Sequence, residues 1–317
     1  MIYFSEKTII PLGGATASGK SDIAIEFAVA LEGEVVNADS RQLYKDLPIL
    51  TANPTQDDMK LVKHNLYGIY DYDKTQSAAN WLNLVSNLLE ENNSNVFVTV
   101  GGTGLYLSSL IYGLTPIPEI SESVRYQVRQ QGKALITSSG ETALYACIVK
   151  KDPLIAGRIH PNHTQRLLRA WEVFEQTGRS IISWQQEPRR KIDAPKSPLF
   201  VIDLDRQKLQ DRITQRCWKM VEMGVIEEIK NFIEFSHGKF SPLLNTIGFQ
   251  EFKQYIDGKC PLETAIKNVI KSTCQYAKRQ QTWFRTQYNA GDIILIPNDS
   301  PQNQASMILK NLYALSA

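Results

Sequence analysis

Apolar residues in the N-terminal part of the chain alternate between short runs and stretches of helical spacing. Residues 8–12, 34–38 and 95–100 form short apolar runs, and the third is rich in β-branched residues, as is typical of a strand buried on both faces. Residues 23–31 and 78–91 carry apolar side chains at helical spacing. Strands that alternate with helices indicate a parallel sheet, and such sheets bind ligands at the carboxyl ends of their strands.

The pattern changes at residues 115–118, which read Thr-Pro-Ile-Pro. Residues 121–184 show helical periodicity without a strand-like run, and a polar, proline-rich segment follows up to residue 198. An apolar run at 199–203, a helical pattern through residues 209–221, a last helix at 262–286 and a final strand at 292–296 follow. We therefore predict an α/β fold, in which residues 1–116 and 196–317 form a parallel sheet core flanked by helices and residues 117–195 form a helical insertion domain.

The segment Gly14-Ala-Thr-Ala-Ser-Gly-Lys20-Ser21 lies between the first predicted strand and the first predicted helix, and it fits the pattern G-x-x-x-x-G-K-[ST]. Its glycines let the backbone fold around an anion, its amide groups and the helix N-terminus attract that anion, and Lys20 adds a positive charge. The Ser21 hydroxyl can bind Mg²⁺. We expect phosphate binding by all eight residues of this phosphate loop: Gly14, Ala15, Thr16, Ala17, Ser18, Gly19, Lys20 and Ser21.

Two further polar segments follow predicted strands. Asp39-Ser-Arg-Gln42 follows the second apolar run, and Gly101-Gly-Thr-Gly104 follows the third. Because the carboxyl ends of parallel strands meet at one edge of a sheet, we expect both segments to converge with the phosphate loop.

Composition narrows the choice of partners. The net charge of +2 does not by itself indicate a polyanion, but residues 267–285 hold five basic residues, no acidic residue and interleaved aromatic side chains. Such a segment suits RNA, although Trp283 also fits a core position. The four cysteines are scattered, which disfavours a zinc site, and no apolar run is long enough to span a membrane. We expect a cytoplasmic protein.

Eight segments in the same order along the chain resemble those of the bacterial tRNA dimethylallyltransferases. They are the phosphate loop, Asp39-Ser-Arg-Gln-Leu-Tyr44, Thr51-Ala-Asn-Pro54, Gly101-Gly-Thr-Gly-Leu-Tyr106, Arg158-Ile-His-Pro-Asn162, Gln165-Arg-Leu-Leu-Arg-Ala170, Ile247-Gly-Phe-Gln-Glu251 and the basic segment that contains Ala277-Lys-Arg-Gln280 and Thr282-Trp-Phe-Arg285. Two positions depart from the family pattern: Ala15 stands where proline is usual, and Cys274 stands where arginine is common.

The resemblance implies a P-loop NTPase-like core that transfers a dimethylallyl group from dimethylallyl diphosphate to N6 of adenosine 37 in tRNA, with Mg²⁺ as cofactor. Asp39 is then the general base, Lys20 and Arg216 stabilise the leaving diphosphate, and Thr103 contacts the substrate adenosine. From the residues alone, other roles stay open. Asp39 also fits a helix N-cap or an indirect Mg²⁺ contact, Thr103 fits a plain turn, and Arg212 and Arg216 fit a solvated helix face.

The resemblance also implies an anticodon stem-loop as partner of a monomeric protein, with the insertion as a clamp on the stem. Adenosine 37 must be flipped out of its stack to reach the site. The expected tRNA-binding residues are Asp39, Ser40, Arg41, Gln42, Thr103, Arg125, Gln165, Arg166, Leu167, Leu168, Arg169, Asn245, Gly248, Gln250, Gln275, Lys278, Arg279 and Gln280.

Two other functional classes compete. A small kinase that uses ATP would need the same phosphate loop, but no apolar run here ends in the pair of acidic residues typical of its Mg²⁺-binding strand. A non-catalytic RNA-binding module would explain the basic segment but not a complete phosphate loop. An assay of pyrophosphate release with tRNA separates the three.

Overall fold

The protein is described by a computed structural model over residues 6–194 and 196–316. Within these residues, a parallel sheet has the strand order β3-β2-β4-β1-β5-β6. Its strands are β1 (Thr8–Gly14), β2 (Glu34–Asn37), β3 (His64–Asn65), β4 (Val96–Gly101), β5 (Leu199–Asp203) and β6 (Ile293–Pro297). The predicted parallel sheet is thereby confirmed, with β1 between β4 and β5.

Helices account for most of the remaining described residues. The α-helices are α1 (Lys20–Ala30), α2 (Pro48–Thr51), α3 (Gln56–Leu61), α4 (Ala78–Glu91), α5 (Gly104–Tyr112), α6 (Glu122–Lys151), α7 (Thr164–Thr177), α8 (Ile181–Trp184), α9 (Arg206–Glu222), α10 (Val225–Ser236), α11 (Phe249–Ile256), α12 (Leu262–Thr286) and α13 (Pro301–Ser316). Short 3₁₀ helices cover Pro153–Ile155, Pro242–Asn245 and Ala290–Asp292. No helix of the described parts is both long and apolar enough to cross a membrane.

Burial explains why the strands form where they do. Every residue of β4 is buried, as expected for a strand with neighbours on both sides and helices on both faces. Trp81 of α4 is fully buried, donates from its indole nitrogen to Asn37 O (2.8 Å) and stacks on Tyr106 at a centroid distance of 4.7 Å. This bond uses a carbonyl near the end of β2, so α4 helps to fix the loop that follows.

Residues 112–191 form a compact unit of their own, and the rest of the chain forms the core unit. The expected insertion covered residues 117–195. Within this unit, Leu114 and Arg190 pair through both backbone amides (2.9 and 2.8 Å) where the chain enters and leaves. Its apolar core includes Val128, Leu144 and Trp171, which come from α6 and α7.

One prediction about the C-terminal part was wrong. The helix at Leu262–Thr286 has the predicted bounds, but it is not the last helix, since α13 follows β6. Ala305, Ile308 and Leu312 of α13 belong to the same apolar cluster as Phe27 and Ala28 of α1. This helix thus covers the face of the sheet on which α1 lies.

Candidate active site

The phosphate loop turns tightly between β1 and α1. Ser18 N donates to Ala15 O (3.2 Å), and Lys20 Nζ donates to the same carbonyl (3.3 Å). Gly19 precedes α1 with a φ of 85°, a left-handed conformation that glycine adopts readily. The loop thus leads into the N-terminus of α1, where free amide groups and the helix dipole favour an anion.

Lys20 lines a cavity of about 470 Å³, which we call the phosphate cavity, together with Ser21 and Arg212. Burial lowers the pKa of Lys20 to about 8; Asp39 opposes this shift and Arg216 adds to it. An anion bound beside Lys20 would replace the lost solvent and favour the charged ammonium. The position of Lys20 in this cavity, rather than its pKa, therefore suits it to a negatively charged ligand.

Helix α9 brings two arginines to the phosphate loop. Arg212 Nη1 donates to Ser18 O (2.8 Å), and Arg216 Nη1 donates to Thr16 Oγ1 (3.1 Å). Burial lowers the pKa of Arg216, although nearby Asp39 opposes the shift. The solvated helix face that the sequence left open is thus wrong for both residues, because each guanidinium contacts the loop.

Asp39 lies in a tight turn directly after β2. Its amide donates to Asn37 Oδ1 (2.7 Å), and its own Oδ1 accepts from Arg41 N (2.9 Å). Asn37 Nδ2 also donates to Asp39 O (3.0 Å) and to Leu66 O (2.9 Å), so this buried amide holds the turn from both sides. Within the described residues Oδ2 of Asp39 has no hydrogen bond, which leaves it available to a ligand.

Thr103 joins the loop after β4 to the loop after β2. Its Oγ1 accepts from Ser40 N (3.0 Å), and its amide donates to Ala38 O (3.2 Å). The loops approach so closely at Gly101 that an added Cβ would lie 2.0 Å from Ala38 O. The expected convergence of these loops is confirmed, and Thr103 is more than a plain turn residue.

Gln280 of α12 occupies a position that the sequence did not predict. It is only 5% exposed, its Oε1 accepts from Thr16 N (2.8 Å), and its Nε2 donates to Gly102 O (2.8 Å). We expected a tRNA contact at Gln280, but the structure commits its amide to the interior. The residue connects the phosphate loop to the loop after β4.

A second cavity of about 360 Å³, which we call the acceptor cavity, adjoins Asp39. Thr16, Arg41 and Tyr276 line it with Asp39, and Arg216 and Met220 line both this cavity and the phosphate cavity. Burial, and secondarily Asp39, raises the pKa of Tyr276 to about 12, while a side-chain hydrogen bond with Gln280 opposes the shift. A ligand at the phosphate loop and a second ligand at Asp39 would thus meet near Arg216.

Several expected tRNA-binding residues of the core unit have free outer surfaces. Gln275, Lys278 and Arg279 of α12 are exposed, as are Asn245 and Gln250. Others hold the loops instead. Arg41 Nη1 donates to Pro242 O (2.6 Å), Gln42 Nε2 donates to Thr51 O (3.2 Å) and Ala52 O (2.5 Å), and Gly248 is the buried N-cap of α11.

In the insertion unit, the expected tRNA-binding residues divide by burial. Gln165 and Arg166 are exposed on α7, and Arg125 on α6 is half-buried. Leu167 and Leu168 are 0% and 9% exposed and pack in the apolar core of this unit, so their side chains form no binding surface. Arg169 pairs with the buried carboxylate of Glu172 (3.4 Å).

A profile of the family described as IPP transferase matches residues 42–287. The chain is 38% identical over 282 residues to the tRNA dimethylallyltransferase of Ehrlichia ruminantium, which covers 88% of this chain and 92% of the relative. It is 39% identical over 290 residues to the tRNA dimethylallyltransferase of Rhodospirillum centenum, with 90% of each chain covered.

Solved structures agree with these relatives. The full-length tRNA isopentenylpyrophosphate transferase from Bacillus halodurans is 30% identical, with a TM-score of 0.64 over 98% of this chain and 96% of that chain. A eukaryotic dimethylallyltransferase, captured acting on tRNA, is 27% identical, with a TM-score of 0.80 over 98% of this chain and 80% of that chain. The chain belongs to the IPP transferase family.

Proposed function

We propose that this protein transfers a dimethylallyl group from dimethylallyl diphosphate to the N6 amino group of adenosine 37 in tRNA. The observation that carries the proposal is that Arg216 and Met220 line both the phosphate cavity and the acceptor cavity. A diphosphate on one side and an adenosine on the other would therefore share one boundary. Relatives named tRNA dimethylallyltransferase support the reaction class.

The leaving group determines the role of the phosphate loop. During transfer, the bond between C1 of the prenyl chain and the diphosphate oxygen breaks, and that oxygen keeps the electron pair. Negative charge then grows on the diphosphate, beside Lys20 and Arg216. Fixed donors that face developing charge in a site of low polarity stabilise a transition state strongly.

The nucleophile determines the role of Asp39. N6 of adenosine forms a bond to C1 and must lose one proton. Asp39 has one carboxylate oxygen committed to Arg41 N and the other without a partner among the described residues, so it can take this proton. The short turn that Asn37 holds keeps Asp39 in the lining of the acceptor cavity.

The residues present fit a bound Mg²⁺. Ser21 lines the phosphate cavity beside Lys20. The described residues contain no group of three or more His, Cys, Asp or Glu side chains that could hold a metal, so the other ligands would come from the substrate and water. One hydroxyl together with substrate phosphate oxygens and water is a common environment for Mg²⁺. When bound with the donor, Mg²⁺ would neutralise part of the diphosphate charge.

We place the tRNA anticodon stem-loop on the exposed side of α12, with adenosine 37 flipped into the acceptor cavity beside Tyr276. Lys278 and Arg279 supply exposed positive charge there, and Arg279 also lines this cavity. We further propose that the enzyme works as a monomer in the cytoplasm.

Product analysis with two competing donors tests the function. The protein is given tRNA, Mg²⁺, labelled dimethylallyl diphosphate and differently labelled ATP, and the nucleosides are then separated. We expect prenylated adenosine with the wild type and none with Lys20→Ala or with a tRNA that carries guanosine at position 37. Phosphate transfer from ATP without a prenylated nucleoside would establish a kinase, and tRNA binding without diphosphate release would indicate a binding module.

A further inference from the structure

The Gln280 side chain connects two loops that meet different substrates in the proposed reaction. Its Oε1 accepts from Thr16 N in the phosphate loop, and its Nε2 donates to Gly102 O in the loop after β4, both at 2.8 Å. Gln280 is 5% exposed. Among the described residues, we find no other side chain that hydrogen-bonds to both loops.

Each loop that Gln280 holds continues to a reacting group. Thr16 accepts a hydrogen bond from Arg216 through its hydroxyl, on the diphosphate side. Thr103, next to Gly102, accepts from Ser40 N, which follows Asp39 on the acceptor side. The amide of Gln280 therefore lies in the middle of a chain of contacts from Arg216 to Asp39.

The loop after β4 packs so closely against α12 that the Gln280 side chain has little room to move. An added Cβ on Gly102 would lie 2.3 Å from Gln280 Nε2, and an added Cβ on Gly104 would lie 2.2 Å from the Trp283 ring. The loop after β4 thus rests directly on the inner side of α12. Only a side chain that accepts and donates at once can satisfy both Thr16 N and Gly102 O at this depth.

We propose that Gln280 is a positioning residue, which fixes the donor-binding loop relative to the loop that orders Asp39. This inference rests on the proposed prenyl transfer. Alignment of two bound reactants acts on the rate of the chemical step, since a displacement of about 1 Å can cost about a hundredfold in rate. Replacement of the Gln280 side chain should therefore change the rate of transfer more than the affinity for either substrate.

Gln280→Met tests this role, because methionine has a similar size but neither donates nor accepts in this way. We expect the single-turnover rate at saturating donor and tRNA to fall by about ten- to a hundredfold. The dissociation constants of donor and tRNA, each measured separately, should stay within about threefold. Gln280→Glu keeps an acceptor but loses the amide donor, so it should also lower the rate. If Gln280→Met does not fold, the same measurements are made on Gln280→Glu.

Gln281 provides a matched control on the same helix. Its half-buried amide donates to Leu204 O (2.9 Å), which belongs neither to the phosphate loop nor to the loop that carries Asp39. Gln281→Met removes one hydrogen bond from the same helix and should leave the transfer rate within about twofold. The positioning role would be refuted by a wild-type rate in both Gln280 variants, by equal rate losses in the Gln281 control, or by a loss that lies only in donor affinity. If the wild type transfers no prenyl group, the proposed function fails instead.

Discussion

The core unit and the insertion unit use their polar side chains for different purposes. Around the candidate site of the core, several charged and amide side chains bond to backbone groups: Arg212 to Ser18 O, Gln280 to Thr16 N, and Glu228 to Ile49 N and Leu50 N at the start of α2 (2.7 and 2.9 Å). Elsewhere in the core, charged side chains also pair with each other, as Lys253 does with Asp257. In the insertion, charged side chains mostly bond to each other, as in the pairs Lys151–Glu175 and Arg179–Glu187.

This difference indicates where precision is required. Hydrogen bonds from buried side chains to loop backbone fix groups that must meet a reacting atom. Ion pairs between half-exposed side chains contribute little to stability and leave long side chains free to rearrange. The core loops therefore suit catalysis, and we expect the exposed charges of the insertion to act on tRNA binding instead. Substitutions in the two units should affect different measurements.

The largest expected effect is that of Asp39→Asn. The amide can still accept from Arg41 N, so the turn is preserved, but it cannot take the proton from N6. We expect the single-turnover rate to fall by about a hundredfold or more, as is typical for loss of a positioned base. Donor and tRNA affinities should stay within a few-fold, and an unchanged chemical step would remove Asp39 from the mechanism.

Gly101→Ala examines how closely the core loops are joined. The added Cβ would lie 2.0 Å from Ala38 O and 2.2 Å from Ala38 C, so backbone must move. We expect the free energy of unfolding to fall by about 1–3 kcal/mol, as for other overpacked sites. Gly291→Ala is the control, since nothing lies within 4 Å of its added Cβ. Equal stability of the two variants in denaturant titrations would show that the loops tolerate separation.

The sequence predicts those parts of the fold that local patterns determine. Strand β4 and the strand at Leu199–Asp203 are short, unbroken apolar runs, and the helix at Leu262–Thr286 shows apolar residues at helical spacing. Strand β3 has only His64 and Asn65, and it exists because they pair with Val35 and Val36 of β2. No pattern in two residues could have predicted it.

The same limit applies to the candidate site. The phosphate loop was predicted because its eight residues are contiguous and share one physical task. The sequence predicts a tRNA contact at Gln280 and not its buried position, because its two partners lie 264 and 178 residues away in sequence. Arg212 and Arg216 stood on a helix of mixed polarity, and only the packing of α9 shows which side faces the loop.

The pKa of Lys20 predicts a pH dependence of donor binding that the insertion should not share. A pKa of about 8 means that the ammonium loses its charge as the pH rises through 8. The affinity for dimethylallyl diphosphate should then be about tenfold weaker at pH 9 than at pH 7. For folding, the sign is opposite. Below pH 8 the buried ammonium lowers the free energy of unfolding. This loss of stability is relieved as the pH rises from about 8 towards 10.5, the ordinary pKa of lysine.

Calorimetric titration of the donor without tRNA, at several pH values, measures the effect. Lys20→Arg is the control, because arginine keeps its charge throughout this range and should bind the donor with an affinity that does not depend on pH. A wild-type affinity that does not change between pH 7 and 9, or the same loss in Lys20→Arg, would assign the pH dependence to another group.

The smallest expected effect lies in the insertion, at Arg166. This arginine is exposed on α7 and has no hydrogen bond or ion pair within the described residues, whereas Arg169 is held by Glu172. If Arg166 contacts a tRNA phosphate, Arg166→Ala should weaken tRNA binding a few-fold and reduce the slope of log K against log salt by about 0.7–0.9. The rate at saturating tRNA should stay at the wild-type value.

Lys150→Ala is the control. It removes an equal charge from an exposed position of α6 at which we expect no tRNA contact, and its salt slope should match the wild type. Equal slopes for all three proteins would mean that Arg166 does not contact RNA, and a lower rate at saturation would show that the insertion also takes part in alignment.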